Sequence, residues 1–395
     1  MTFLHKSKTL LALIVASLAL DAYIPGTAAQ VPATPLLIAM RGDLWTWDGP
    51  QSKPIQRTAW GYNETPILSP NGRQVAYKSA AQIAVTAIKA KGGITGSDLP
   101  ANIWLNDVPT NNATRVADQP SDASFMTQGT PDNYVLRSVP TWSPDSSALA
   151  WTELVVTANS VNPAQQLWVY DLAQKQARII VPDLPPYANA PTALVVKWGT
   201  PGLAVWSVGA EVDATGNFVA QDALLIYDTG GKLVTSVKIA ALSEFTWLTD
   251  NGKDYVAMLA KGKANTPLHD LQWLLLDPVT GTISGMPGVP ELYSLTTPNG
   301  LSLFPASMGA APDWQIASSD QTPVKLGAID DVYAFTPMLA ISPDGASVAY
   351  VKQGSAYVYR DSVSSRIAPS KPDDPHVVGL AWGPTAWRLR RKPGG

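Results

Sequence analysis

Short runs of alternating apolar and polar residues, each ending in a turn signal, recur from Leu36 almost to the C-terminus. Gln74-Val75-Ala76-Tyr77 and Ser347-Val348-Ala349-Tyr350 are typical, and a period of two marks a strand with one face inward. Helical periodicity is nearly absent. The one ambiguous stretch, Ala80 to Ala90, is a candidate short helix inside an insertion.

The strands are in step with a repeated turn. Leu68-Ser69-Pro70-Asn71-Gly72, Trp142-Ser143-Pro144-Asp145-Ser146 and Ile341-Ser342-Pro343-Asp344-Gly345 align directly, each leading into a small-apolar-aromatic strand. Looser copies lie at Trp198-Gly199, Thr249-Asp250, Thr297-Pro298 and Trp382-Gly383. Anchored on Ser69, Ser143, Gly199, Thr249, Thr297, Ser342 and Gly383, the spacings are 74, 56, 50, 48, 45 and 41 residues. Proline presets φ at one turn position, Asp or Asn bonds nearby backbone, and glycine supplies the positive φ that closes the turn.

A second signal follows each turn: an aromatic strand ending in an acid. Examples are Leu44-Trp45-Thr46-Trp47-Asp48, Ile103-Trp104-Leu105-Asn106-Asp107, Leu167-Trp168-Val169-Tyr170-Asp171 and Leu224-Leu225-Ile226-Tyr227-Asp228. Asp277 and Asp361 end the same pattern. Each unit therefore reads as four antiparallel strands, and such a unit repeated every 40–50 residues is a β-propeller blade. The expected fold is an all-β propeller of seven four-stranded blades, within a range of six to eight. Its closing blade combines the outer strands of residues 36–58 with the C-terminal strand Val377 to Trp382, which leaves no open sheet edge at the junction.

The Ser-Pro-Asp-Gly turn at Ser342 and its close variants at Ser69 and Ser143 resemble the repeats of the TolB-type family of propellers. The motif covers about three blades, while residues 193–330 match only in spacing and strand pattern. The resemblance implies an extracytoplasmic propeller of bacterial type that works by presenting a surface to partners. Strands begin near Leu36, without the separate mixed domain that precedes the propeller of TolB, so the partners of TolB are not carried over. The propellers of serine peptidases are joined to a hydrolase domain, and no Gly-x-Ser-x-Gly elbow occurs here.

Residues 1–29 read as a secretory signal peptide. Lys6 and Lys8 precede an apolar run from Leu10 to Leu20 interrupted only by Ser17, and Thr27-Ala28-Ala29 supplies small residues for cleavage. That run is too short to span a bilayer, for which about 20 apolar residues are needed. Residues 30–35 form a linker, 36–391 a single propeller domain, and 392–395 a disordered tail. The expected location is periplasmic, cell-surface or secreted, with no transmembrane helix after cleavage.

Composition then removes chemistry. The 28 Lys+Arg against 31 Asp+Glu give a net charge of −3, so no basic excess exists to neutralise a phosphate backbone, and nucleic acid is not an expected partner. Zero cysteines exclude disulfides and thiolate chemistry, and three histidines leave little for acid–base catalysis.

Candidate sites are placed by the repeat. Glu64, Arg137, Glu244, Glu291 and His376 precede the turn anchors by five to seven residues, at the entry to innermost strands, and are the candidate channel-mouth binding set. Three acids and a histidine near one axis would suit a divalent cation, the one cofactor considered; the plainer reading is solvated loop residues. The acids that end the aromatic strands recur once per unit, which points to turn-capping carboxylates rather than a metal array. Trp45, Trp104, Trp168 and Trp273, and Trp142, Trp198, Trp247 and Trp382, recur at fixed repeat positions and are expected in the core. Trp60 and Trp314 fall outside those sets. Insertions at 79–100 and 118–134, with Lys89, Lys91 and Tyr134, are the candidate partner-binding elements. The basic tail from Arg388 is read as frayed.

Two function classes remain: a non-catalytic scaffold, a monomeric ring binding an envelope or extracellular protein or a ligand, and a metal-dependent hydrolase or lyase at the channel mouth. Missing nucleophile, metal and cofactor motifs favour the first.

Overall fold

The computed structural model describes residues 35–389, apart from 51, 92–98, 159–162, 186–192, 209, 213–215, 217, 240, 251, 262–270, 286–292, 297–301, 306–312, 318–321, 330–337, 343, 362, 369–376 and 383–386. The expected signal peptide, Glu291 and His376 lie outside the described residues. Among the described residues one helix, α1 (Gln82–Lys91), falls in the stretch that the sequence left ambiguous. Every other regular element among the described residues is a strand.

The strands form consecutive antiparallel meanders. The second sheet runs Asn63–Leu68, Gln74–Ala80, Ala101–Asp107, Asn112–Ala117 in both sequence and space. The third is built on Tyr134–Arg137, Ala148–Val156, Ala164–Asp171 and Gln176–Val181, with Thr141–Trp142 pairing beside the first of these. The fourth uses Val195–Gly199, Gly202–Ser207, Asp222–Tyr227 and Leu233–Ile239, and the last runs from Leu339–Ile341 to Val363–Ala368. Between them lies a nine-stranded sheet, two meanders bridged by Trp387–Leu389. In the first sheet, the N-terminal strand Leu36–Met40 pairs on one side with Asp43–Trp47 and on the other with Val377–Ala381.

Central strands are buried on both faces, as in Ala148–Val156, because each sheet is covered by its neighbours. Ile103 and Leu105 meet Trp142 and Trp151 between the second and third sheets. Leu36 and Ile38 meet Val351 and Val358 between the first and last. Outermost strands such as Asn112–Ala117 and Val363–Ala368 are mostly exposed and polar, which blunts their open edges.

The outermost pairing slips by one residue at the aromatic of the third strand in five meanders, at Trp104, Trp168, Tyr227, Trp314 and Tyr357. The extra residue is Val116, Ile180, Val234, Leu326 or Ile367. All but Val234 pack into the clusters between sheets, so the bulge turns an apolar side chain inward from a polar strand and adds twist.

The serine turns share one bonding pattern. The Ser69, Ser143 and Ser342 hydroxyls each donate to the side-chain oxygen two residues on, at Asn71, Asp145 and Asp344. Each also accepts the N–H five residues on, from Gln74, Ala148 and Ser347. The positive φ falls on Gly72 (72°), Ser146 (64°) and Gly345 (67°). Four of the recurring acids cap turns as expected: Asp107, Asp171, Asp228 and Asp277 accept the backbone N–H of Thr110, Gln174, Gly230 and Val279. Lys253 bonds the Asp277 carboxylate and, with the Val279 N–H, holds it well below the usual carboxylate range.

Candidate functional site

Strands alternate in direction along a meander, so its connections sort onto two ends. First-to-second and third-to-fourth connections share one end; second-to-third connections share the other with the links between sheets. The insertions at 81–100 and 118–133 therefore emerge at the same end of the second and third sheets. So does the two-stranded hairpin Ala210–Val212 with Phe218–Ala220.

The two insertions form one structure. Ala84 and Ala87 of α1 are buried against Phe125, with Ala80, Ile83, Leu99 and Tyr134 packed around them. Tyr134 stands edge-on to Phe125 at 5.0 Å, and burial, helped by the charge of Asp132, pushes its phenol pKa up. Tyr134 is thus a support beneath the insertion, whereas Lys89 and Lys91 are exposed in the last turn of α1.

Arg137 anchors the feet of both insertions. Its Nη1 donates to Ala101 O (2.7 Å), where the first insertion rejoins the sheet, and its Nη2 to Asp118 O (2.8 Å), where the second leaves it. Its Nε meets Glu153 Oε1 at 2.7 Å, and the Trp151 indole N–H reaches the same oxygen at 2.9 Å. Both members of the ion pair are buried. Gln119 adds a second clamp: its Nε2 donates to Ala101 O and Val135 O, and its Oε1 accepts from Val135 N.

The other described channel-mouth candidates are likewise engaged. Glu64 Oε1 lies 3.2 Å from Nζ of the buried Lys78, its partner across the strand pair. Arg137 and Glu153 are partners of the same kind with the charges exchanged. Glu244 is buried beside Lys197, whose Nζ donates to Phe245 O and lies 5.3 Å from the Phe245 ring centroid. Lys197 is half-buried as a whole, but its ammonium tip is desolvated, which lowers its pKa against the opposing pull of Glu244. Among the described residues, no three His, Asp or Glu side chains cluster in a way that could hold a metal ion.

The tryptophans divide differently from expectation. Trp314, which falls outside the recurrent sets, is fully buried between sheets and belongs to the core. Trp60 is exposed. Two recurrent tryptophans do more than pack: the Trp142 indole N–H donates to Ile67 O and that of Trp247 to Lys197 O, each a carbonyl of the preceding sheet. Gly199 makes room for the second, since a Cβ there would lie 2.3 Å from the Trp247 ring. Sequence reasoning also missed Glu153, Lys197 and Asp43; their partners are distant in the chain, and only the recurrence of Trp142 and Trp247 signalled a contact between sheets.

The strands themselves define the class: a nearly all-β chain of successive four-stranded antiparallel meanders. No protein-family model matches this sequence, and no curated protein matches it. Among solved structures, TolB from Acinetobacter baumannii is similar at 15% identity over 89% of this chain and 66% of its own, with a TM-score of 0.39. Pyrococcus horikoshii acylaminoacyl peptidase is similar at 13% identity over 78% of this chain and 46% of its own, with a TM-score of 0.47. The β-propeller domain of the Trilobed protease from Pyrococcus furiosus gives 15% identity, 78% and 83% coverage and a TM-score of 0.43. The chain thus spans about two thirds of the TolB chain and under half of the acylaminoacyl peptidase.

Proposed function

We propose that this chain is an exported, non-catalytic binding scaffold of the cell envelope or exterior, a seven-bladed propeller that presents its long-loop end to an envelope or extracellular partner. The closing blade is the first sheet, where Leu36–Met40 pairs with Val377–Ala381. The four single meanders at the start, the two halves of the nine-stranded sheet and the last sheet support a count of seven. The observation that carries the binding role is the fusion of two long insertions into one packed unit, clamped by Arg137 and Gln119 at the same end. Insertions on a regular repeat are where recognition is grafted. An enzyme built on the channel-mouth charges would first have to free Glu64 from Lys78 and Arg137 from Glu153, at a cost of several kcal/mol for the buried pair.

The test is in-cell crosslinking of the full chain through Lys89 and Lys91, read by mass spectrometry. Reproducible crosslinks from these lysines to one envelope or extracellular protein are expected, and their loss in a Lys89→Ala, Lys91→Ala variant of unchanged abundance. A chain recovered only as a free monomer at native abundance sinks the proposal.

A further inference from the structure

Trp60 departs from every other tryptophan whose side chain the structure describes. Those are buried or half-buried, whereas Trp60 is 39% exposed. It sits in the connection between the first and second sheets, at the same end as the insertions.

The ring is nonetheless held in one orientation. Its Nε1–H donates to Ala80 O at 3.1 Å, and it stands edge-on to Tyr62 with centroids 6.0 Å apart. The backbone N–H groups of Trp60 and Gly61 donate to Asp43 Oδ1 at 2.9 and 3.1 Å. That same oxygen accepts from Thr58 Oγ1 (2.8 Å) and Asn63 Nδ2 (3.0 Å). Asp43 is only 6% exposed. A buried carboxylate is costly unless hydrogen-bonded, and here every donor to Oδ1 comes from the loop that carries Trp60 or the residue ending it. A core charge therefore rigidifies a surface loop. An aromatic ring fixed before binding loses little rotamer freedom when a ligand arrives.

The indole N–H is already engaged, so the exposed part of the ring offers a ligand aromatic surface rather than a hydrogen-bond donor. Ala80, whose carbonyl holds it, leads within two residues into α1, where Gln82 and Thr86 are exposed, uncharged hydrogen-bonding side chains. The first turn of α1 carries no acid. A protein hot spot needs surrounding contacts that exclude water, but Trp60 is flanked in the loop by Ala59 and Gly61, small and exposed, with the Tyr62 ring edge-on beside it. A flat aromatic surface, with the exposed neutral side chains Gln82 and Thr86 in the helix that follows its hydrogen-bond acceptor, fits a ligand with an apolar C–H face and a rim of hydroxyls.

We propose that Trp60 is a saccharide-stacking platform that binds pyranose rings of a glycan. The inference rests on reading the long-loop end as the binding face. Its test is calorimetric titration of the full chain with cellohexaose, chitohexaose and maltohexaose. Saturable binding of at least one is expected. Trp60→Ala should weaken it about tenfold or more, the factor that corresponds to about 1.4 kcal/mol, and Trp60→Phe should retain most of it. An unchanged thermal midpoint in the phenylalanine variant, which keeps a ring but not the Ala80 bond, provides the folded control if alanine unfolds the loop. No saturable binding by any of the three sugars, or equal affinity in wild type and Trp60→Ala, overturns the proposal. So does a Trp60-dependent crosslink to a protein without sugar binding, which would assign the ring to a protein partner. Crosslinks from Lys89 and Lys91 that persist when sugars fail leave the scaffold standing, and Trp60-dependent sugar binding without crosslinks leaves the platform standing.

Discussion

At one end of the sheets the chain reverses through 69–73, 143–147 and 342–347, each closed by a serine hydroxyl bonded to groups two and five residues on. At the other end, 81–100 and 118–133 are secured by Arg137, Glu153 and Gln119, whose partners lie 16 to 36 residues away. The first end is a local structure repeated, the second a non-local one made once. The difference explains why one end is a uniform set of turns and the other carries individual features.

The largest test of this contrast is Glu153→Ala. It leaves the Arg137 guanidinium buried with two carbonyls and no counter-charge, and removes the acceptor of the Trp151 indole N–H. A stability loss of about 3–5 kcal/mol is expected, read as a lowered urea midpoint at unchanged slope. Hydrogen exchange should quicken first at 81–91 and 118–134. As an internal reference, Arg115→Ala removes the exposed pair with Asp118, 2.8 Å long, and should cost less than about 1 kcal/mol. If the two variants cost the same, the buried clamp is not what holds the long-loop end.

The contrast also decides what could be read from the sequence. The meander pattern, the joining of the two chain ends in one sheet and the capping role of Asp107, Asp171, Asp228 and Asp277 all follow from signals a few residues long, and all are present in the structure. The insertions could be located as excess length, but not their fusion, because α1 meets Phe125 and Tyr134 only through the folded sheet. Glu64 and Arg137 stood out for position and charge. Their partners Lys78 and Glu153 become visible only when the hairpin register is known, since a slip of one residue would put each on the opposite face. Trp60 was separable from the core tryptophans because it breaks the repeat. Trp314 was set apart in the same way, but it fills the third-strand aromatic position of its meander, as Trp104 and Trp168 do in theirs, and is buried.

A smaller effect distinguishes the local end by pH. The Ser342 hydroxyl and the Ala346 N–H hold the Asp344 carboxyl below the usual carboxylate range, and the Ser143 hydroxyl and Ser147 N–H do the same for Asp145. A carboxyl with a depressed folded pKa adds stability that is complete above its unfolded value, about 4. That contribution is lost as pH falls through the folded value. Both carboxylates face water, so each is worth less than about 1 kcal/mol. Asp145→Asn combined with Asp344→Asn should lower stability slightly at pH 7 and flatten its decline below about pH 4. The turn itself should survive, because Asn71 already accepts the equivalent bonds from Ser69 and Arg73 as a neutral amide. Identical acid slopes in wild type and the double variant would show that these turns do not sense pH.

The smallest expected effect asks whether the turns are as local as they look. Ser146 occupies the left-handed position that Gly72 and Gly345 fill elsewhere, a conformation that costs a non-glycine residue about 1 kcal/mol. Its hydroxyl accepts the Asn71 N–H at 3.0 Å, from the serine turn of the neighbouring sheet. Such a bond contributes about 0.5–1.5 kcal/mol. Ser146→Gly relieves the strain and loses the bond, so the net change should stay within about 0.5 kcal/mol. Ser146→Ala keeps the strain and loses the bond, and should be the less stable variant by about 1 kcal/mol. A glycine variant stabilised by the full strain energy would mean that the bond between turns contributes nothing and that each turn stands alone. A glycine variant less stable than wild type by about 1 kcal/mol or more would mean that the bond outweighs the strain, and that the regular end is also held from sheet to sheet.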